Sequence, residues 1–355
     1  MNSALLVLAG GLLLLLLGAE FLVRGSSSLA RRLGMSPLLI GLTIVALGTS
    51  APEIGISVMA ALNGQGDLAV GNVVGSNIFN VLVILGISAL VTPLIVSRQL
   101  IRFEIPVVIV ASLLVLWMGQ DGALGPIEGV ILLSGLCVYL LVTIRSARKA
   151  PAGEPISTPP ASGNPIMDVS LVIVGVLTLM FGSKYLVDGA SELARSFGLS
   201  ELIIGLTIVA GGTSVPEVAT SVLAVIRGER DLAVGNAIGS CLFNLLAVLG
   251  IASIVSPEPI GIPAAALAVD LPIMVATAII CLPLAFTHGR IDRWEGALLT
   301  GYYVAYTTWI VLNAQGHDAA TSLSTVVLRY ILPLTALALI VSLYRSRKAQ
   351  HSPES

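Results

Sequence analysis

Charge is scarce in this chain. Lys, Arg, Asp and Glu make up 11% of its 355 residues, apolar residues make up 56%, and the mean hydropathy is +0.98. A soluble domain of this length needs a charged surface, so the composition excludes one and indicates a polytopic membrane protein. Cysteine is nearly absent. Cys137, Cys241 and Cys281 all lie in apolar runs, which excludes a disulfide or thiolate–metal framework and leaves three small hydrophobes. Histidine is as rare: His288, His317 and His351 fall in polar segments or the tail. No membrane-buried imidazole is therefore expected for a proton relay or a metal centre. The net charge of −2 decides little, because the charges divide between two aqueous sides.

What the chain does have is a repeat. "GLTIVALGTSAPEIGISV" at 41–58 matches "GLTIVAGGTSVPEVATSV" at 205–222, with 13 of 18 positions identical. "DLAVGNVVGSNIFNVLVILGISALVTP" at 67–93 matches "DLAVGNAIGSCLFNLLAVLGIASIVSP" at 231–257, with 16 of 27 identical and the same offset of 164. The likeness reaches back to 18–36 against 182–200, and forward to "IEG" at 127–129 against "WEG" at 294–296. Self-similarity of this kind fixes architecture. Each copy holds five apolar stretches that span or nearly span a bilayer. They fall near 3–23, 37–60, 68–91, 104–118 and 126–144, then near 167–187, 201–226, 232–254, 271–287 and 295–312. The organisation expected is a first repeat at 1–144, a Pro/Ser/Gly-rich linker at 145–166 and a second repeat at 167–312. An extra span at 325–344 and a tail at 345–355 follow. The N-terminal run has a counterpart at 167–187 and no basic segment before it, so it reads as a span rather than a signal peptide.

An odd number of spans per copy inverts the second copy relative to the first. Under this topology 15 of the 18 basic residues fall on one side, and only Lys184, Arg195 and Arg329 on the other. The positive-inside rule then puts the N-terminus outside and the linker and C-terminus in the cytoplasm. The fold class expected is an all-α polytopic membrane protein with two inverted-topology five-helix repeats and one extra C-terminal transmembrane helix. Inverted repeats with helix breakers at matched positions point to a secondary transporter whose site lies at the midplane.

The breakers are the informative residues. "GTSAPE" at 48–53 and "GTSVPE" at 212–217 put Pro and Glu together inside apolar runs. A carboxylate in hydrocarbon needs a partner or a wet cavity, and no basic residue lies at that depth. Thr49 and Ser50 share a helix face with Glu53, as Thr213 and Ser214 do with Glu217. Pro52 and Pro216 lack an N–H, so carbonyls near 48 and 212 lose their ladder partners and must line a cavity or be bridged. Carboxylates, hydroxyls and loose carbonyls are all oxygen donors, which suits Ca²⁺ or Na⁺ rather than zinc or copper. Asn72, Ser76 and Asn80 share one face of the third span, and Asn236, Ser240 and Asn244 one face of the eighth. Intramembrane Ser, Thr and Gly ordinarily serve helix packing, and Asn72 and Asn236 are left open between packing and pathway. Asp67 and Asp231 are expected to cap the helices they precede. Glu104 and Asp270, each two residues before a Pro, are likewise expected at helix starts.

These motifs, G-T-S-x-P-E twice, each followed by G-S-x-x-F-N, resemble the alpha-repeats of the cation/Ca²⁺ antiporter superfamily, the sodium/calcium exchangers. The resemblance covers about 300 residues in both copies. It implies a ten-helix core in two inverted halves, with Ca²⁺ held between Glu53 and Glu217 and the Thr49 and Thr213 carbonyls nearby. It implies Na⁺ sites that use Ser50, Ser76, Ser214 and Ser240 with the amides of Asn80 and Asn244. Some members carry Asp where this chain has Asn244, so two acids stand here rather than three. Position 241 is Cys where the first copy has Asn77, and the eleventh span lies outside the family's core.

The reading is a cell-membrane antiporter of the prokaryotic type that exchanges Ca²⁺ for Na⁺ by alternating access. It is not an enzyme, has no resident cofactor and no nucleic-acid partner. The alternative is Ca²⁺/H⁺ exchange, with protons on the two Glu; a cation channel is a rival of a different class. The buried His–Ser or Asp pair of an intramembrane protease is absent from the sequence.

Overall fold

A computed structural model of the chain describes residues 2–149, 164–198, 204, 207, 208, 210–286 and 289–351. Most of the expected linker, and much of the first half of the expected seventh span, lie outside the described residues. Long apolar runs become helices because a bilayer offers backbone groups no other partners. In order these are α1 (Asn2–Leu33), α2 (Pro37–Thr49), α3 (Ala51–Leu62), α4 (Gly66–Val91), α5 (Leu100–Asp121) and α6 (Pro126–Lys149). Then come α7 (Pro165–Ser196), α8 (Val215–Ile226), α9 (Arg230–Val255), α10 (Ala266–Phe286), α11 (Arg293–Ala314) and α12 (Ala319–Ser342). Among the described residues eight helices are long and apolar enough to cross a membrane. The count is nine if α2 and α3, bent by 45° at Ser50, form one span.

The two helices α4 and α9 form the centre: 78% and 83% of their apolar stretches are buried, against 11% for α12. The outer helices turn large apolar side chains outward, such as Leu6, Ile127 and Leu334, as a bilayer requires. Along one flank α1 and α7 run antiparallel with their backbones touching. Gly11, Gly18 and Gly25 are seven residues apart on α1, and Gly175, Gly182 and Gly189 on α7. A Cβ built on Gly18 would lie 2.7 Å from the Leu179 nitrogen, and one on Gly182 would lie 2.7 Å from the Leu15 nitrogen. Only glycine permits this approach, the device by which membrane helices pack closely.

Four two-residue strands join loops of the two halves. Strand β1 (Leu94–Ile95) pairs antiparallel with β4 (Arg290–Ile291), and β2 (Ala123–Leu124) with β3 (Ile260–Gly261). Glu20 in the second half of α1 takes both Arg24 and Arg227, and Arg32 pairs with Asp168 at 3.0 Å. Arg24 within α1 and Arg227 just after α8 therefore share one carboxylate.

Two expected helix starts are not starts. Glu104 and Asp270 sit inside continuous helices, because the ladder runs on upstream through a wide turn. The Ile105 N–H reaches Leu100 O, and the Leu271 N–H reaches Ala266 O, five residues back. Pro106 and Pro272 come next and have no N–H to offer; shifting the ladder by one residue just before them accommodates the ring. Glu104 is fully buried and accepts from Gln99 Nε2 at 2.9 Å, whereas Asp270 accepts from the Tyr306 hydroxyl at 2.7 Å. Asp67 and Asp231 are already in the first turns of α4 and α9, with Gln65 and Glu229 at the cap positions. Their carboxylates face the positive helix end rather than closing it.

Candidate cation site between the broken helices

The site begins with two breaks. Ser50 and Ser214 leave helical geometry, with φ/ψ of −80°/5° and −91°/8°. Pro52 and Pro216 then take the second position of α3 and α8, which their fixed φ favours. Glu53 and Glu217 follow in the first turn of each new helix, where the helix dipole favours a carboxylate. The carbonyls of Gly48 and Gly212 lose the donors that Pro52 and Pro216 cannot supply. Gly212 O is bridged by Ser183 Oγ of α7 at 2.6 Å. The equivalent position on α1 is Ala19, which has no hydroxyl, so the two freed carbonyls are not equivalent.

Both carboxylates are fully buried and each meets a serine of the other half. Ser214 Oγ donates to Glu53 Oε1 at 3.1 Å, and Ser50 Oγ to Glu217 Oε1 at 3.4 Å. Ser76 Oγ of α4 also donates to Glu53 Oε1 at 3.5 Å and lies 3.1 Å from Ser214 Oγ. Across the site Thr49 Oγ1 lies 3.5 Å from Ser240 Oγ. Asn80 and Asn244 are fully buried at wide turns of α4 and α9, Asn80–Leu85 and Phe243–Val248. Among the described residues the Oδ1 atoms of Asn80 and Asn244 and the Oε2 atoms of Glu53 and Glu217 lack hydrogen-bond partners. Buried polar atoms are ordinarily satisfied, so such a group asks for an explanation.

Asn72 and Asn236 turn out to be braces with nearly superimposable bonding. Asn72 Nδ2 donates to Glu53 O at 3.4 Å and Ser57 Oγ at 2.9 Å; Asn236 Nδ2 donates to Glu217 O at 3.4 Å and Ser221 Oγ at 2.9 Å. Each amide oxygen accepts from a threonine of the opposite half: Thr213 to Asn72 at 3.3 Å, Thr49 to Asn236 at 3.0 Å. Ser57, Ser221 and Ser183 are functional-site neighbours that the sequence reading passed over. The signal for two of them was present, since both copies place a serine four residues after the glutamate. Hydrogen bonds thus link Thr49, Ser50, Glu53, Ser76, Thr213, Ser214, Glu217 and Ser240 to site residues or to the two braces, and among the described residues Asn80 and Asn244 are buried on α4 and α9 without a hydrogen bond to them; of the ten, Thr213 alone is only partly buried.

Truncating a brace has an expected cost. Asn236→Ala leaves Thr49, Ser221 and the Glu217 carbonyl short of a partner, about 1–3 kcal/mol for each buried group left unsatisfied. Asn72 is half-buried, so water can replace it and Asn72→Ala is expected to be milder. Thermal unfolding in detergent orders the two variants, and an equal or larger loss for Asn72→Ala would contradict the assignment.

The chain is similar to known proteins over most of its length. A family profile described as sodium/calcium exchanger protein matches residues 3–145 and 167–312. The inner membrane protein YrbG of Escherichia coli is 38% identical over 317 residues, covering 86% of this chain and 95% of that protein. The sodium/calcium exchanger MaX1 of Methanosarcina acetivorans is 28% identical over 339 residues, covering 85% of this chain and 96% of that one. A solved structure of the sodium–calcium exchanger NCX_Mj, soaked with Na⁺ and Sr²⁺, superposes with a TM-score of 0.74 at 30% identity. It matches 86% of this chain and 97% of its own.

Proposed function

The chain belongs to the sodium/calcium exchanger family, and from that premise we propose that it exchanges Ca²⁺ for Na⁺ at the Glu53–Glu217 site by alternating access. One observation carries the reading. Among the described residues, four buried oxygens, Oε2 of Glu53 and Glu217 and Oδ1 of Asn80 and Asn244, have no hydrogen-bond partner. Two carboxylates balance one Ca²⁺, and carboxylate, amide and hydroxyl oxygens are the donors hard cations prefer. Ca²⁺ and Na⁺ are cargo here, and they compete for the same oxygens. The ligand set proposed is Glu53, Glu217, Thr49, Thr213, Ser50, Ser214, Ser76, Ser240, Asn80 and Asn244. The ions are carried over from the names of MaX1 and NCX_Mj.

The protein is a transporter with two five-helix repeats, 1–144 and 167–312, in inverted topology. The cross-paired loops support this. Inversion puts the α4–α5 and α10–α11 loops on one side and the α5–α6 and α9–α10 loops on the other, the same partners that β1–β4 and β2–β3 join. The basic asymmetry supports an outside N-terminus and a cytoplasmic linker. A Pro155→Cys variant lacking Cys137, Cys241 and Cys281 is expected to resist an impermeant thiol reagent in intact cells. Ready labelling would reverse the orientation.

Proton exchange is the second reading, because neither carboxylate has a basic partner among the described residues and protons could neutralise them instead. Uptake of radiolabelled Ca²⁺ into proteoliposomes separates the possibilities. Uptake that requires internal Na⁺ supports the proposal. Uptake driven by a proton gradient without Na⁺ replaces the counter-ion, and uptake with neither replaces the antiporter by a channel.

A further inference from the structure

The first repeat buries another carboxylate, outside the Glu53–Glu217 site. Glu104 lies in the wide turn at the start of α5 and is 0% exposed; Tyr139 and Thr143 of α6 are 3% and 0% exposed. Tyr139 and Thr143 are one helical turn apart, so they share a face of α6. The Tyr139 hydroxyl meets both the Glu104 carboxylate and the Thr143 hydroxyl. Its ring stacks on Phe103 of α5, with centroids 6.2 Å apart and planes 14° from parallel, which fixes where the hydroxyl points. Glu104 Oε1 accepts from Gln99 Nε2 at 2.9 Å, and Gln99 is exposed. The group is therefore buried one side chain away from water.

Glu104 Oε2, the Tyr139 hydroxyl and Thr143 Oγ1 close no hydrogen bond among the described residues. For Thr143 this is unusual. A helical Ser or Thr commonly returns its hydroxyl to the carbonyl four residues back, as Ser112, Thr300 and Thr335 do here, and Thr143 does not. The second repeat supplies the comparison. Asp270 and Tyr306 stand where Glu104 and Tyr139 do, and there the pair closes directly, with the Tyr306 hydroxyl donating to Asp270 Oδ1 at 2.7 Å. The position of Thr143 is taken by Ile310, so the second repeat has two oxygen-bearing side chains in contact where the first has three that leave one another unsatisfied.

The charge names the ligand. Among the described residues Glu104 has no ion pair, and an ionised carboxylate at such a position calls for a counter-charge. One carboxylate offsets one unit of charge, and carboxylate and hydroxyl oxygens are donors that suit hard cations. We propose that Glu104, Tyr139 and Thr143 bind one monovalent alkali cation, Na⁺ or K⁺, which bridges the start of α5 to the end of α6. The site is separate from the exchange site and does not rest on the exchange reading.

The test uses the full chain carrying Glu53→Gln and Glu217→Gln, so that the other buried carboxylates contribute nothing. Its melting temperature in detergent is followed against NaCl, KCl and choline chloride at constant ionic strength. NaCl or KCl is expected to raise it and choline chloride to leave it unchanged, because a ligand of the folded state stabilises that state; the more effective salt identifies the ion. Thr143→Val and Tyr139→Phe each keep the shape and remove one ligand. Each is expected to move the midpoint of the salt response to at least tenfold higher concentration, the scale of losing one bond to a charged group. An unchanged midpoint in either folded variant overturns the site, as does a chain that responds to neither salt. Stabilisation by acid in place of salt, lost in Glu104→Gln, assigns a proton to Glu104 and overturns it too. In crystals of the wild type soaked with Tl⁺, an anomalous peak is expected between Glu104, Tyr139 and Thr143, and its absence would also overturn the proposal.

Discussion

Replacing either Glu53 or Glu217 by Gln is expected to abolish Ca²⁺ exchange in a protein that still folds. Gln keeps the length of the side chain and one oxygen, so Ser214 and Ser76 can still meet position 53, and Ser50 position 217. What is lost is one of the two charges that offset a dehydrated divalent ion. Breaking a desolvated charge pair costs about 3 kcal/mol or more, or roughly 100-fold in affinity. The unliganded protein loses only a buried charge without a basic partner, so its melting temperature should hold. Ca²⁺ should raise the melting temperature of the wild type, since a ligand that binds only the folded state stabilises it, and should fail to raise that of either variant. Glu53→Asp should retain partial activity at best, because the shorter arm misplaces its oxygen. A folded, inserted Gln variant that exchanges Ca²⁺ at near the wild-type rate would remove these residues from the site.

Gly182→Val is expected to lose both stability and exchange, whereas Gly10→Val keeps them. At Gly182 the new Cβ would stand 2.7 Å from the Leu15 nitrogen, and backbone cannot step aside as a side chain can. The helices must part, at about 1–3 kcal/mol for overpacking of a close interface. The damage reaches the site, because α7 carries Ser183, which bridges the Gly212 carbonyl, and Val176, which rests on Gly48. Gly10 is one residue from the seam, exposed, with nothing within 4 Å of its Cβ position, so it controls for the loss of glycine itself. Equal melting curves for the two variants would refute the role given to the seam.

Much of this was legible in the sequence because it depends on local chemistry stated twice. The breaks at Ser50 and Ser214, the buried glutamates and the polar faces of α4 and α9 all follow from residue type and spacing within one segment. What was not legible depends on where the ladder slips. Pro106 and Pro272 look like helix starts, yet a wide turn upstream absorbs the missing N–H and carries α5 and α10 further back. Spacing within one chain segment also gives no information about the partner across an interface. Asn72 and Asn236 were therefore undecided until Thr213 and Thr49, contributed by the opposite half, were seen to meet them. The Ser183 bridge had no counterpart in the first copy to reveal it.

The two braces are alike in bonding and unlike in exposure. Asn236 is sealed, and beside it a Cβ on Gly235 would come within 2.6 Å of Leu38 O, and one on Gly41 within 2.6 Å of Leu232 O. On the other side Asn72 is half-buried, and among the described residues nothing lies within 4 Å of a Cβ built on Gly71; positions 202 and 206, which repeat Leu38 and Leu42, lie outside the described residues. Beside Asn236 the packing of α9 on α2 is thus main chain against main chain. Rotamer fluctuations, which open and close side-chain gates on fast timescales, have nothing to act on there. Under the proposed exchange, opening this side of the site requires whole helices to separate, so the stiffness of the backbone would oppose leak there.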